Sequence, residues 1–128
     1  MLEKGIRGTG ESIVTQENTA KAMGSGELDV YATPAMIALM EETAYKSVAS
    51  ELDEGSGSVG TLMNVKHVAA SPVGMKITCQ SELESVEGRK LTFKVEAYDE
   101  TGLIGEGIHE RFIIVNNKFQ EKADKKLG

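Results

Sequence analysis

The chain has 128 residues, a formal net charge of -6 and one cysteine, Cys79. That length suits one compact domain that buries a core without a disulfide or a metal, and a lone cysteine excludes an internal disulfide, as fits a reducing cytoplasm. The acidic balance argues against nucleic acid as a partner, no apolar run reaches membrane-spanning length, and the opening MLEKGIRGTGES lacks the apolar centre of a signal peptide.

Residues 11–17, ESIVTQE, alternate weakly and read as a first strand. Residues 18–32 are irregular and contain glycine, so they read as loop. Thr33 is suited to cap a helix and Pro34 to stand at its first position. The helix is predicted to run to about Leu52, where DEGSGSVG, residues 53–60, stops it. The pattern then changes to period two. Residues 59–69 set Val59, Thr61, Met63, Val65 and His67 on one face, and SPVG turns. Residues 75–86 alternate Met75, Ile77, Cys79, Ser81 and Leu83 against polar neighbours, and EGRK turns again. Residues 91–99 put Leu91, Phe93, Val95 and Ala97 inward, and residues 103–115 form the last strand. The tail KADKK reads as a solvated end. The expectation is an α+β fold: a strand, one long helix, then four strands in an antiparallel meander, with the helix across the inner face of the sheet.

One residue disturbs this pattern. At about 100° per residue, Ile37, Met40, Ala44, Val48 and Leu52 share the apolar stripe of the helix, and Glu41 lies within it. Glu42 lies outside and faces water. A carboxylate aimed at a sheet is costly unless it is paired or protonated. Its structural reading is an edge position that reaches water or a backbone group; Glu51, also close to the stripe, has the frayed helix end for that. Its functional reading is chemistry. His67 shares the apolar face of its strand, where a histidine is commonly a satisfied core residue. Thr33 is open to a plain N-cap role. Together, however, the three supply a hydroxyl, an acid and an imidazole beside a helix N-terminus, whose free N–H groups favour a developing oxyanion.

These features resemble a known family. The stretches ATPAMIALMEETA, VGT followed by KHVAASPVG, and GIHER look like the fluoroacetyl-CoA thioesterase-like branch of the hotdog-fold thioesterases. The resemblance covers roughly residues 30–115. It implies a hotdog fold, hydrolysis of an acyl-CoA thioester, and Thr33, Glu41 and His67 as the catalytic constellation. It further implies a homodimer with the site at the subunit interface, Gly60 lining the site through its backbone, and coenzyme A as part of the substrate, with no bound cofactor. His109 and Arg111 match a family motif. His109 carries no assigned step, and Arg111 is a substrate-binding candidate that would hold a phosphate or pair with an acid. One departure stands out. The fluoroacetyl-specific enzyme has a Phe-rich lid just before its threonine, whereas MGSGELDVYA, residues 23–32, has one Tyr and no Phe. A more general acyl-CoA thioesterase is therefore the expectation.

Other signals carry less. EGSGSVG follows a helix and precedes a strand, the reverse of a dinucleotide-binding loop. Cys79 reads as a small buried hydrophobe, and two distant histidines with one cysteine show no metal-ligand spacing. Two competing functions stand beside the hydrolase. One is a passive module for acyl-CoA or another small ligand, against which an inward Glu41 argues. The other is a hydratase or dehydratase of enoyl- or hydroxyacyl-thioesters, whose differently placed His-acid motif is not seen.

Overall fold

The computed structural model describes residues Met1–Gly128. Its elements in chain order are β1 (Arg7–Ile13), the short α1 (Ala20–Met23), α2 (Thr33–Val48), β2 (Ser56–His67), β3 (Lys76–Glu87), β4 (Lys90–Asp99), β5 (Gly102–Val115) and α3 (Asn116–Asp124). All five strands form one antiparallel sheet in the order β1-β3-β4-β5-β2, and α2 lies on its inner face. This is the helix-on-sheet arrangement that the hotdog resemblance implies.

The core is where the two periods meet. Met36, Met40, Ala44 and Val48 of α2 are fully buried, and so are Ile77, Cys79, Leu83, Leu91, Phe93, Val95 and Ala97 of β3 and β4. Alternation in the strands and a three-to-four repeat in the helix put these chains on facing surfaces. Burial holds the Cys79 thiol up at about 11, which fits an unreactive core group. Gly88, at φ 63°, makes the tight β3–β4 turn.

Several sequence expectations change. The first strand begins and ends four residues before the expected 11–17, sharing only residues 11–13 with it, because Arg7–Ile13 is the segment that pairs with Lys76–Glu82 of β3. The α2 stripe is turned slightly, so Met36 and Leu39 are buried in place of Ile37, which is only half-buried. Regular helix ends at Val48, and a single 3-10 turn, Ala49–Glu51, finishes it. The loop at 18–32 contains α1, capped by Thr19, whose Oγ1 accepts from Ala22 N–H. The basic tail lies within and just beyond α3, a helix with no buried residue.

The meander is also only partial. β3, β4 and β5 run as expected, but β2 pairs with β5 and leaves β3 to β1. The SPVG segment makes no hairpin. It is tied to the segment that leads into α2 by Tyr31 N–H donating to the Ser71 carbonyl and by a bridge between Val30 and Pro72. The connection therefore carries the chain from one edge region of the sheet to the other. β2 is left as an edge strand of twelve residues.

Finally, β2 does not keep one face throughout. Its register with β5 slips between Gly60 and Leu62. Thr61 is the extra residue, and a one-residue slip exchanges the two faces of a strand. Met63, opposite His109, stays inward with Val65 and His67. Val59, opposite Phe112, moves to the outer face, and Gly60, opposite Arg111, turns inward.

Candidate active site

α2 presents a second stripe beside its core face. Thr33, Ile37, Glu41 and Tyr45 recur every four residues and so lie one above another on a single flank. That flank faces β2. At its upper end Thr33 Oγ1 stands 2.8 Å from His67 Nδ1. Eight residues along, the Glu41 carboxylate reaches Gly60 and Arg111. Met63 and Val65 are half-buried on the strand between these two points.

Thr33 is not the helix cap. Ala32 occupies that place with extended backbone angles, and no side chain caps the helix there. Thr33 is the first helical residue, followed by Pro34, and its hydroxyl is free to meet His67. The other ring nitrogen, Nε2, is buried without a hydrogen-bond partner. Burial lowers the His67 pKa from the ordinary 6.5, with a backbone contact at Ala69 working against it. At neutral pH the imidazole is therefore uncharged, with one donor and one acceptor. If Nδ1 carries the proton, Thr33 can turn its own hydroxyl proton toward a ligand.

Glu41 stands on the flank, beside the core stripe and outside it, with 44% of its side chain exposed. Its nearest charged partner is Arg111, whose Nη1 lies 3.8 Å from Oε2, and not His67. Glu42 faces water, as the helix period predicts, and pairs with Lys46 at 3.6 Å. Glu51 pairs with the amino terminus of Met1.

Gly60 explains how the carboxylate fits. A Cβ there would lie 2.6 Å from Glu41 Oε2, 3.2 Å from His109 Cε1 and 3.4 Å from Arg111 Nη1. The bulge at Thr61 is what aims Gly60 inward. A missing side chain thus leaves the gap that the carboxylate occupies.

Arg111 has only 8% of its side chain exposed, which suits an internal partner for an acid and not a hold on a solvent-borne phosphate. The sequence assigns His109 no step and singles out neither Ser58 nor Tyr45, yet all three touch Arg111. Tyr45 was visible as the next residue of the four-residue stripe. His109 and Arg111 were visible as two polar chains on the inward parity of β5. Ser58 gave no signal, because its contact depends on the bulge.

Comparison with known proteins gives a consistent picture. The family model for fluoroacetyl-CoA-specific thioesterases (FlK) matches residues 14–117. A fluoroacetyl-CoA thioesterase of Streptantibioticus cattleyicolor is 44% identical over 98 residues, spanning 77% of this chain and 70% of that protein. The solved structure of the fluoroacetyl-CoA thioesterase FlK superposes with a TM-score of 0.92 at 38% identity, covering 98% of each chain. A threonine-to-serine variant of FlK, in complex with acetyl-CoA, superposes at 0.93 with 35% identity, covering 99% of this chain and 100% of that one.

Proposed function

The chain belongs to the fluoroacetyl-CoA-specific thioesterase family, and on that premise we propose that it cleaves a small acyl-CoA at Glu41, Thr33 and His67. It is a thioester hydrolase: acyl-CoA and water give a carboxylic acid and coenzyme A. Coenzyme A enters and leaves as part of the substrate. The observation that carries the site assignment is the placement of Glu41. A carboxylate on the β2-facing flank of α2 is fitted against Gly60, on the same flank as the Thr33–His67 pair.

In the scheme we favour, Glu41 takes a proton from a water molecule whose oxygen bonds to the thioester carbonyl carbon. The carbon–sulfur bond then breaks, and the thiolate leaves with a proton. The same carboxylate can instead attack the carbon directly, forming an anhydride that water opens. Thr33 orients the thioester or the water. His67 eases departure of the sulfur through the Thr33 hydroxyl, which its Nδ1 holds at 2.8 Å. The N-terminus of α2 adds its free N–H groups and the positive end of its dipole to the developing oxyanion.

This scheme favours a homodimer. Thr33 and Glu41 are eight residues apart on one helix, roughly 12 Å along its axis, too far to share one carbonyl. A two-fold pair of chains with antiparallel helices would bring a carboxylate from one copy to the hydroxyl of the other. The unpaired edge of β2 and its half-buried Met63 and Val65 suit such a contact. Sedimentation showing only monomer at micromolar concentration would contradict it. No helix is long and apolar enough to cross a membrane. A reducing cytoplasm is the setting in which the buried free Cys79 is at home.

The acyl group is small and not restricted to fluoroacetyl. Residues 23–32 have one aromatic, Tyr31, and its ring is 2% exposed within the core. The test is thiol release from acetyl-, fluoroacetyl-, longer-chain and aromatic acyl-CoAs. Release from the small members, without strong preference for fluoroacetyl, is the expected result; release from none contradicts the hydrolase reading.

A further inference from the structure

The hydrolysis scheme leaves the GIHER segment of β5 unused, yet that segment contains a buried, densely hydrogen-bonded polar cluster. A guanidinium has five N–H donors. Arg111 Nε donates to Ser58 Oγ at 2.8 Å, Nη2 donates to the Ser58 carbonyl at 2.8 Å, and Nη1 stands 3.1 Å from His109 Nε2. His109 is 1% exposed. Its Nδ1 lies 2.9 Å from the Leu62 carbonyl, which can only accept. The ring proton is therefore on Nδ1, and Nε2 presents a lone pair to Arg111. Burial is the main cause that keeps this imidazole uncharged, and the neighbouring Arg111 charge adds to it. Phe93 lies beside the ring with centroids 6.1 Å apart and planes at 28°, and burial together with the Leu62 bond fixes the direction in which Nε2 points.

The Nη1 atom that His109 holds is also the one nearest Glu41. At 3.8 Å that pair is Coulombic, longer than a hydrogen bond. An unrestrained arginine beside a carboxylate closes to a bidentate pair and occupies both oxygens. Here the guanidinium is tied back to β2 and β5 and stops short. Its charge reaches Glu41, while the carboxylate lone pairs stay free to accept a proton.

We propose that Ser58 and His109 are positioning residues for the reaction, holding Arg111 at a distance that steadies Glu41 without consuming it. The proposal rests on the assignment of Glu41 as the reacting carboxylate. Ser58 contributes through both its hydroxyl and its backbone, so Ser58→Ala removes only one of two bonds. His109 contributes the only bond to the Nη1 side, so its loss frees the edge that faces Glu41.

The test compares His109→Leu with His109→Gln, two side chains of similar size that both lack the ring and differ in the acceptor. Turnover of acetyl-CoA is followed by thiol release, with folding checked by circular dichroism. We expect His109→Leu to lower kcat about tenfold to hundredfold, with KM changed by less than about twofold. His109→Gln should recover most of the rate, and Ser58→Ala should show a smaller loss than His109→Leu. Adding His109→Leu to Arg111→Ala should cost nothing further, since His109 acts through Arg111. Nitrogen NMR of the wild-type ring should show the proton on Nδ1. The proposal is overturned if His109→Leu matches wild type, if Leu and Gln are equally impaired, if the double variant loses the full product of the two, or if the proton is on Nε2. A wild type inactive on every acyl-CoA overturns the hydrolase reading itself, an outcome distinct from active wild type with an indifferent His109.

Discussion

The core stripe of α2 and its β2-facing flank share one backbone and divide its work. Met36, Met40, Ala44 and Val48 are fully buried against β3 and β4, and their order is irrelevant to any polar partner. Thr33, Ile37, Glu41 and Tyr45 run beside them, half-open, and their polar members are tied to His67 and Arg111 on the neighbouring strands. A helix can keep chemistry within one side chain's width of a dry core because the period offsets the two stripes. The core face supplies the rigidity, and the flank inherits it.

That division can be broken from either side. The largest effect should come from the core: Met40→Ala is expected to cost about 2–5 kcal/mol of stability, read from urea unfolding, while kcat of the remaining folded fraction stays near wild type. Gly60→Ala should do the reverse. Its new methyl would meet the movable end of Glu41 at 2.6 Å and need only a few tenths of an ångström from His109 Cε1 at 3.2 Å, so the carboxylate is displaced while the fold gives slightly. Thiol release should fall about tenfold to hundredfold, equal to about 1.4–2.7 kcal/mol, with little change in urea midpoint. Thr33→Ala should lower kcat about tenfold, with helix content by circular dichroism unchanged, because Thr33 caps nothing. A clear loss of helix there would restore the capping role and weaken the flank's functional assignment.

The smallest effect is in pH. His67 and His109 are both held below the ordinary value of 6.5, chiefly by burial. Below 6.5 the unfolded chain binds protons that the folded chain refuses, so stability is full above that pH and declines as pH falls through the folded values. The melting temperature should be level above pH 7 and drop by about 3 °C toward pH 5.5. His109→Gln should flatten part of that drop. A melting temperature that rises on acidification would contradict the burial of neutral rings.

Much of the fold was legible in the sequence, since the strands after the helix alternate cleanly and Thr-Pro marks the helix start. The strand order was not. SPVG looks like a turn, and only the bridge from Val30 to Pro72 reveals that residues 68–75 pair with the segment leading into the helix instead of closing a hairpin. For the site, the helical period placed Glu41 close to its true position, and strand parity put His67 inward. The bulge at Thr61 had no signature in an alternating run, and with it went the inward turn of Gly60 and the contact of Ser58 with Arg111. Polar networks formed across a register slip are invisible to periodicity, which assumes that no slip occurs.

The central claim, that the flank carboxylate does the chemistry, is tested most directly by Glu41→Gln. The substitution keeps size and shape and removes only the proton-accepting charge. Thiol release from acetyl-CoA and thermal unfolding would be measured on the same preparation beside wild type. The account predicts a loss of about a thousandfold or more in kcat with a melting temperature within a few degrees of wild type. A folded Glu41→Gln that hydrolyses acetyl-CoA at near the wild-type rate would contradict it.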